Sequence, residues 1–469
     1  MSSATPVVPA VPETALRELG RTEGGPRSLG LLVRDQHTRR LVLLRAILDA
    51  AHAAPAAVCP PDLLHRLDDD WALLEAAERA DRAAVRELLM YPLAGPWAQR
   101  CLYGLGARSA PSRELHADLA HFGALAVTGA IRAGLSGTAR LGSRGDLLVL
   151  PTLGTVRTQP GRDVDIRFGE GVLTVRPAAG TEFTIAVRPE PEAVPAGVGD
   201  PRWRPALSLP AVLPNGRPVP LDDVHPYRTA GSGLERHGLR PAAGLDHRQR
   251  TAWIRAWSGI EPLLRIGGEH RTAEAATLLR CLVPLAPPPG SSESASHCSG
   301  TRLEAFGAVL SSQPSTSAYF AATLVHELQH TKLAALSELV PLHHEDAEPR
   351  HFAPWRPDPR PFDGLFQGAY SHLALADYWQ RFAVAARNVP HRDMAWAEHA
   401  RCRAQVGAVL PVLAGSGTLT GEGRTVVNEM IALFHQLDER PPPSGHLARA
   451  AAYVDTARVI WFQRNGPQR

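Results

Sequence analysis

Lysine is almost missing from this chain. It has 469 residues and 50 basic side chains, yet Lys332 is the sole lysine, so nearly all the positive charge is arginine. With 40 glycines, 42 prolines and abundant alanine, that composition reads as a high-GC codon bias before it reads as function. A single arginine therefore means less here than usual. Excess charge is missing as well. The 50 basic and 47 acidic residues leave a net charge of +3, which argues against a nucleic-acid partner. Cysteines are few, scattered and odd in number: Cys59, Cys101, Cys281, Cys298 and Cys402, with no C-x-x-C pair. This argues against a disulfide framework or a cysteine zinc site and fits a reducing cytoplasm. No apolar run approaches the ~20 residues of a membrane span. The opening MSSATPVVPAVPETALRELG has no basic segment followed by an apolar one, so no signal peptide is expected. No internal repeat is visible.

What is present is ordinary for a globular protein, with 44% hydrophobic and 21% charged residues. The length suggests two or three packed subdomains. Residues 1–12 are rich in Pro and Ala and expected to be disordered. Helical periodicity then runs to about residue 133. Short β-rich runs follow, separated by Gly and Pro turns, with "RFGEGVLTV" as a hairpin. Beyond "LPNGRPVPLDDVHPYR", an extended connector, come further helices and two short strand candidates, "LLRCLVPL" and "EAFGAVLSS", around a Pro/Ser/Gly loop. The expected fold is α+β and mostly helical. Its expected blocks are an N-terminal helical region (1–135), a β-rich subdomain (136–215) and a mainly helical core (216–469).

That core carries "ATLVHELQHTKLA", in which His326-Glu327-Leu328-Gln329-His330 is an H-E-x-x-H. Its helix is expected from about Ser315 to Leu339, stopped by Pro341. Histidines four apart on a helix lie about 40° apart around the axis, so both imidazoles can grip one cation. The bland alternative is a satisfied pair of core histidines. It is costly here, because the segment is apolar and buried histidines need partners.

A catalytic metal normally takes a third protein ligand. The same helix does not supply it, since the matching face beyond His330 holds Leu333 and Ala334, and Glu338 is turned about 120° from His326. The metzincin continuation is absent. His372 is the best candidate, as the polar residue on a buried stripe of the next long helix. Gly368 and Ala369 flank it and permit close approach of another helix. His343, His344 and His351 are the loop alternatives. Between the two helices, "PWRPDPRPFDG" sets Arg356 and Arg360 four apart in a proline-stiffened stretch. A guanidinium pair near a metal suits a dicarboxylate, and its bland reading is a surface turn bridged to Asp358 and Asp363.

"LDDVHPYR", "TLVHELQH", "WRPDPRP", the "GAYSHLALADYW" helix and the closing "WFQRN" together span roughly residues 221–465. In these motifs the sequence resembles the HExxH-type, 2-oxoglutarate-dependent peptide β-hydroxylases of ribosomal peptide modification. The resemblance implies Fe(II) on His326, His330 and His372. It implies 2-oxoglutarate on that iron, with its distal carboxylate on Arg356 or Arg360, and O2 as the second cosubstrate. The substrate would be a residue of a precursor peptide, hydroxylated at its β-carbon, with a radical SAM cyclophane-forming maturase as associated enzyme. Glu327 would orient a ligand, hold a water or bind the peptide. Three histidines depart from the usual two-histidine, one-carboxylate iron set, and Asp358, Asp363 or Glu327 remain open as oxygen ligands. Two other readings stand beside this one. A zinc metallopeptidase would use Glu327 as base and a later residue such as Glu398 as third ligand. A non-catalytic peptide-binding subunit of a maturation complex would leave the metal structural.

Overall fold

The computed structural model describes residues 11–107, 112–178, 180–187, 200–214, 216–229, 239–287 and 297–466. Most of the Pro/Ala-rich stretch 1–12, and residues 288–296 of the Pro/Ser/Gly loop, lie outside these. The chain begins with helices α1 (Glu13–Gly20), α2 (Pro26–Ala53), α3 (Pro61–Ala80), α4 (Arg82–Leu89), α5 (Ala94–Gly106) and α6 (Arg113–Arg132). Strands follow: β1 (Gly137–Leu141), β2 (Leu147–Leu150), β3 (Gly154–Arg157), β4 (Val164–Gly169), β5 (Val172–Pro177), β6 (Phe183–Ala186), β7 (Trp203–Pro205), β8 (Ser208–Leu209) and β9 (Val219–Pro220). Next come α7 (His247–Trp257), α8 (Ile260–Ile266), α9 (Glu269–Leu278), β10 (Cys281–Pro284), β11 (Ser299–Gly300) and β12 (Ala308–Ser311). The rest is helical: α10 (Ser317–Leu339), α11 (Phe362–Ala385), α12 (Val389–Gly407), α13 (Leu410–Ala414), α14 (Gly421–Gln436) and α15 (Ser444–Asn465). The fold is α+β and mostly helical, as expected.

The compact units do not follow the three consecutive blocks. One unit comprises Met1–Asp35, Ser258–Leu278 and Thr316–Arg469, the other Gln36–Trp257 and Leu279–Ser315. The reason lies in burial. A helix stripe and a one-faced sheet each need a partner layer, and here residues from Leu44 to Val187 share a single core that joins the N-terminal helices to the β-rich run.

In the unit built on 36–257 and 279–315, the main sheet is antiparallel in the order β1-β4-β5-β6. Val164, Ile166 and Phe168 alternate onto its buried face. The expected hairpin is β4–β5. Its two-residue loop, Glu170-Gly171, has φ of 52° and 74°, the positive values that match strand twist in tight hairpins. The two strand candidates are β10 and β12, paired in parallel from Cys281↔Ala308. "LDDVHPYR" forms the polar centre of this unit. Asp222 accepts from the N–H groups of Val224 (3.0 Å) and His225 (2.8 Å) and from the Tyr91 hydroxyl. The Tyr227 hydroxyl donates to Asp118 at 2.7 Å, and His225 meets His121 edge-on with centroids 5.2 Å apart. Burial pushes both imidazoles well toward the neutral form.

The other unit is organised around α10. Thr316 caps it, its hydroxyl accepting from the N–H of Tyr319 at 3.3 Å, and it ends before Pro341. Phe320, Leu324, Val325, Leu328, Leu333 and Leu336 spread over about 220° of its circumference and are all buried. A helix with so wide a buried face is a central helix, and α8, α9 and α11 pack against it; His326 and His330 occupy the remaining arc. In turn α12 packs on α11 and α15 on α12.

Candidate metal centre

Two helices bring three histidines together. The rings of His326 and His330, one turn apart on α10, have centroids 4.8 Å apart at 83°. The ring of His372, from α11, lies 5.3 Å from that of His326 at 88°. Each imidazole is tied at Nδ1 to an oxygen. His372 Nδ1 lies 2.8 Å from the carbonyl of Gly368, His330 Nδ1 3.3 Å from Gln367 Oε1, and His326 Nδ1 3.1 Å from Glu327 Oε1. A carbonyl or carboxylate oxygen only accepts, so each Nδ1 carries the proton and each Nε2 keeps its lone pair. Burial, reinforced by His326, lowers the pKa of His330 to about 4. Burial also holds His372 well below the usual imidazole range, with His326 and the Arg401 cation adding to it. His330 and His372 are therefore neutral at pH 7. Half-buried neutral imidazoles with Nδ1 oriented by oxygen are the chemistry of metal ligands, so the residues fit a divalent transition metal. Ligand atoms of His326, Glu327 and His330 all lie within 4.8 Å of one another, and His372 stands outside that set, beside His326.

The environment of His372 differs from expectation in one respect. No helix fills the space at Gly368. The Trp355 indole does, and a Cβ placed on Gly368 would lie 2.4 Å from indole Cζ2. The same indole stacks on the His372 imidazole at 4.6 Å and 20°. Of the rest of the expected stripe, Leu365, Ala369, Ala376, Trp379 and Ala383 are buried and Leu375 is half-buried.

The remaining candidates are held elsewhere. His343 uses both ring nitrogens, on the His344 carbonyl at 2.9 Å and on Asp363 at 3.4 Å. His351 lies in a bridge to Arg360 with its ring toward Phe362. His344 and Glu338 are exposed. Glu398 is paired with Arg401. Asp358 takes Arg356 Nε at 3.0 Å and Arg360 Nη1 at 3.3 Å. Both arginines of the stiff loop thus converge on one carboxylate, while Asp363 takes His343 and no arginine of that loop.

The loop is braced at both ends. Backbone hydrogen bonds of 2.9 Å in each direction join His351 to Arg360. On the far side α15 holds it: Asn465 Nδ2 donates to the Pro357 carbonyl at 3.1 Å, the Tyr453 hydroxyl donates to Pro354 at 3.4 Å, and Trp461 meets Phe352 edge-on at 5.8 Å. The closing "WFQRN" therefore supports the loop that carries Trp355 and the arginine pair. Sequence reasoning missed Trp355, Gln367 and Arg401. The indole alone had a signal, being the first residue of the W-R-P-D-P-R-P run. No family model matches the chain, and no curated protein matches it.

Proposed function

We propose that the protein is an Fe(II)- and 2-oxoglutarate-dependent oxygenase that hydroxylates a β-carbon in a ribosomally made precursor peptide, in the cytoplasm and alongside a radical SAM cyclophane-forming maturase. One observation carries the metal part: three imidazoles from two helices, each with Nδ1 engaged by an oxygen and Nε2 left to ligate. Iron(II) on His326, His330 and His372 would supply the oxidative chemistry, coupling loss of CO2 from 2-oxoglutarate to activation of O2. The chain's own groups do the rest. The Glu327 carboxylate, 2% exposed, fixes the tautomer and tilt of His326. Gln367 and the Gly368 carbonyl do the same for His330 and His372. Trp355 covers one face of His372 and keeps water from it. Arg356 and Arg360 already hold a carboxylate, that of Asp358. A cosubstrate carboxylate would compete with Asp358 for the same two guanidinium groups, an exchange of like for like.

Among the described residues no helix is long and apolar enough to cross a membrane. The test is turnover of 2-oxoglutarate to succinate by Fe(II)-loaded protein, with and without a precursor peptide, read by mass for one added oxygen. His326→Ala or His330→Ala is expected to abolish both metal uptake and turnover. Zinc retention with Glu327-dependent peptide cleavage, and no succinate, would turn the assignment to a peptidase.

A further inference from the structure

Behind the histidines lies a buried ionic cluster that joins the two helices bearing them. Its members are Lys332 of α10, Arg271 and Glu274 of α9, and Asp377 of α11, all at most 6% exposed. Two buried cations face two buried carboxylates, and Asp377 also accepts from Nε of the more exposed Arg381 at 2.8 Å. Lys332 Nζ donates to Glu274 and to the carbonyls of Thr22 (2.9 Å) and Glu23 (3.0 Å). From the next turn back, Gln329 Nε2 donates to the other oxygen of Glu274 at 3.1 Å. Arg271 spreads over the remaining partners. Its Nη1 reaches the Thr22 carbonyl at 2.5 Å and Glu274 at 3.1 Å. Its Nη2 reaches the Thr22 hydroxyl at 3.0 Å and Asp377 at 3.4 Å. Thr22 presents its carbonyl and hydroxyl from a left-handed conformation, φ 59°, which costs a threonine energy unless its surroundings enforce it.

The arrangement has a direction. Gln329 sits about 60–100° and Lys332 about 120–160° round α10 from His326 and His330. Asp377 lies on the helix that carries His372, more than a third of a turn from it. One α9 pair, Arg271 and Glu274, therefore grips α10 at two points and α11 at a third. Apolar packing alone lets helices slide or roll by fractions of an ångström at little cost. A set of directional, desolvated hydrogen bonds does not. We infer that Arg271 and Glu274 are positioning residues for the metal centre, clamping α10 to α11 so that His372 is held at ligating distance from His326 and His330. The inference rests on the three-histidine reading and is independent of which cosubstrate the metal serves.

Cobalt(II) titration of the full-length apoprotein, followed by visible absorption, tests it well below the melting temperature of each variant. His372→Ala provides the benchmark of a centre that has lost its third imidazole. Asp377→Asn severs the α11 arm without leaving a buried carboxylate unpaired, and Arg271→Lys keeps the charge but cannot span Thr22, Glu274 and Asp377 together. Arg271→Met is the harsher change, and if it does not fold the first two variants carry the test. The expected result is a cobalt affinity about ten-fold weaker than wild type in Asp377→Asn and Arg271→Lys, with the absorption band moved toward that of His372→Ala. Lower melting temperatures with wild-type affinity and band would overturn the inference and leave the cluster a purely structural one. If His372→Ala itself binds cobalt as the wild type does, the three-histidine reading has failed and the inference with it.

Discussion

Gly368→Ala puts the smallest possible strain on the site. The added methyl would lie 2.4 Å from Cζ2, 2.5 Å from Cε2 and 2.7 Å from Nε1 of Trp355. Carbon atoms rest at ~3.5–4.0 Å, so the indole must withdraw by about 1 Å. Its ring is stacked on His372, and moving it frees one face of that imidazole. Two opposing terms set the stability change. Overpacking costs about 1–3 kcal/mol, while replacing a helical glycine by alanine returns about 1 kcal/mol. The net loss is about 0–2 kcal/mol, small for a chain of this size. Metal affinity has no such compensation, and loss of a supporting contact around a ligand weakens it by about 10-fold or more. Cobalt(II) titration beside apoprotein melting separates the two effects. Gly368→Ala/Trp355→Ala relieves the clash without restoring the stack, so it is expected to recover stability and still bind metal weakly. Wild-type cobalt affinity in both Gly368→Ala and Trp355→Ala would refute the reasoning.

Arg356→Ala or Arg360→Ala is expected to raise the 2-oxoglutarate concentration for half-maximal turnover at least ten-fold at one of the two positions, measured by succinate release. Arg401, whose charge reaches His372, belongs in the same series, and an effect there alone would move the cosubstrate site to α12. Away from the three histidines, burial and the neighbouring Asp69 raise the Asp70 carboxyl to about 7 from its usual 3.8. The folded protein therefore keeps a proton that the unfolded chain releases near pH 4. Stability from this group is full below pH 4 and is lost as pH rises through 7. Asp70→Asn is expected to be more stable than wild type by about 2 kcal/mol at pH 8 and nearly equal at pH 4, by denaturant melts at both pH values. A constant difference across that range would remove Asp70 as its cause.

The elements of the metal unit were legible because their punctuation is local. Pro341 stops α10, Pro361 precedes α11, and the apolar stripe around His372 announces a buried face. The close approach of His372 to His326 was legible too, from an H-E-x-x-H that lacks a third ligand on its own helix. What escaped was long-range. Nothing in the sequence says that Trp355 closes over Gly368, that Lys332 is buried against Glu274 and the 22–23 turn, or that Asp377 is buried on a helix face that reads as polar. Such partners depend on which elements meet, and composition does not encode that. The two compact units cut across the expected blocks for the same reason. Residues 11–35 belong with α10 and α11 through contacts such as the hydrogen bond from Tyr370 to the Leu19 carbonyl. The helices after them share a core with the sheet.

The central claim is that three histidines hold iron(II) where 2-oxoglutarate can chelate it. The most direct measurement is anaerobic: apoprotein loaded with Fe(II), then 2-oxoglutarate, with His372→Ala alongside. A weak visible charge-transfer band that forms in the wild type and fades in the variant is the predicted result. No band in the wild type, with tight zinc binding in its place, would contradict it.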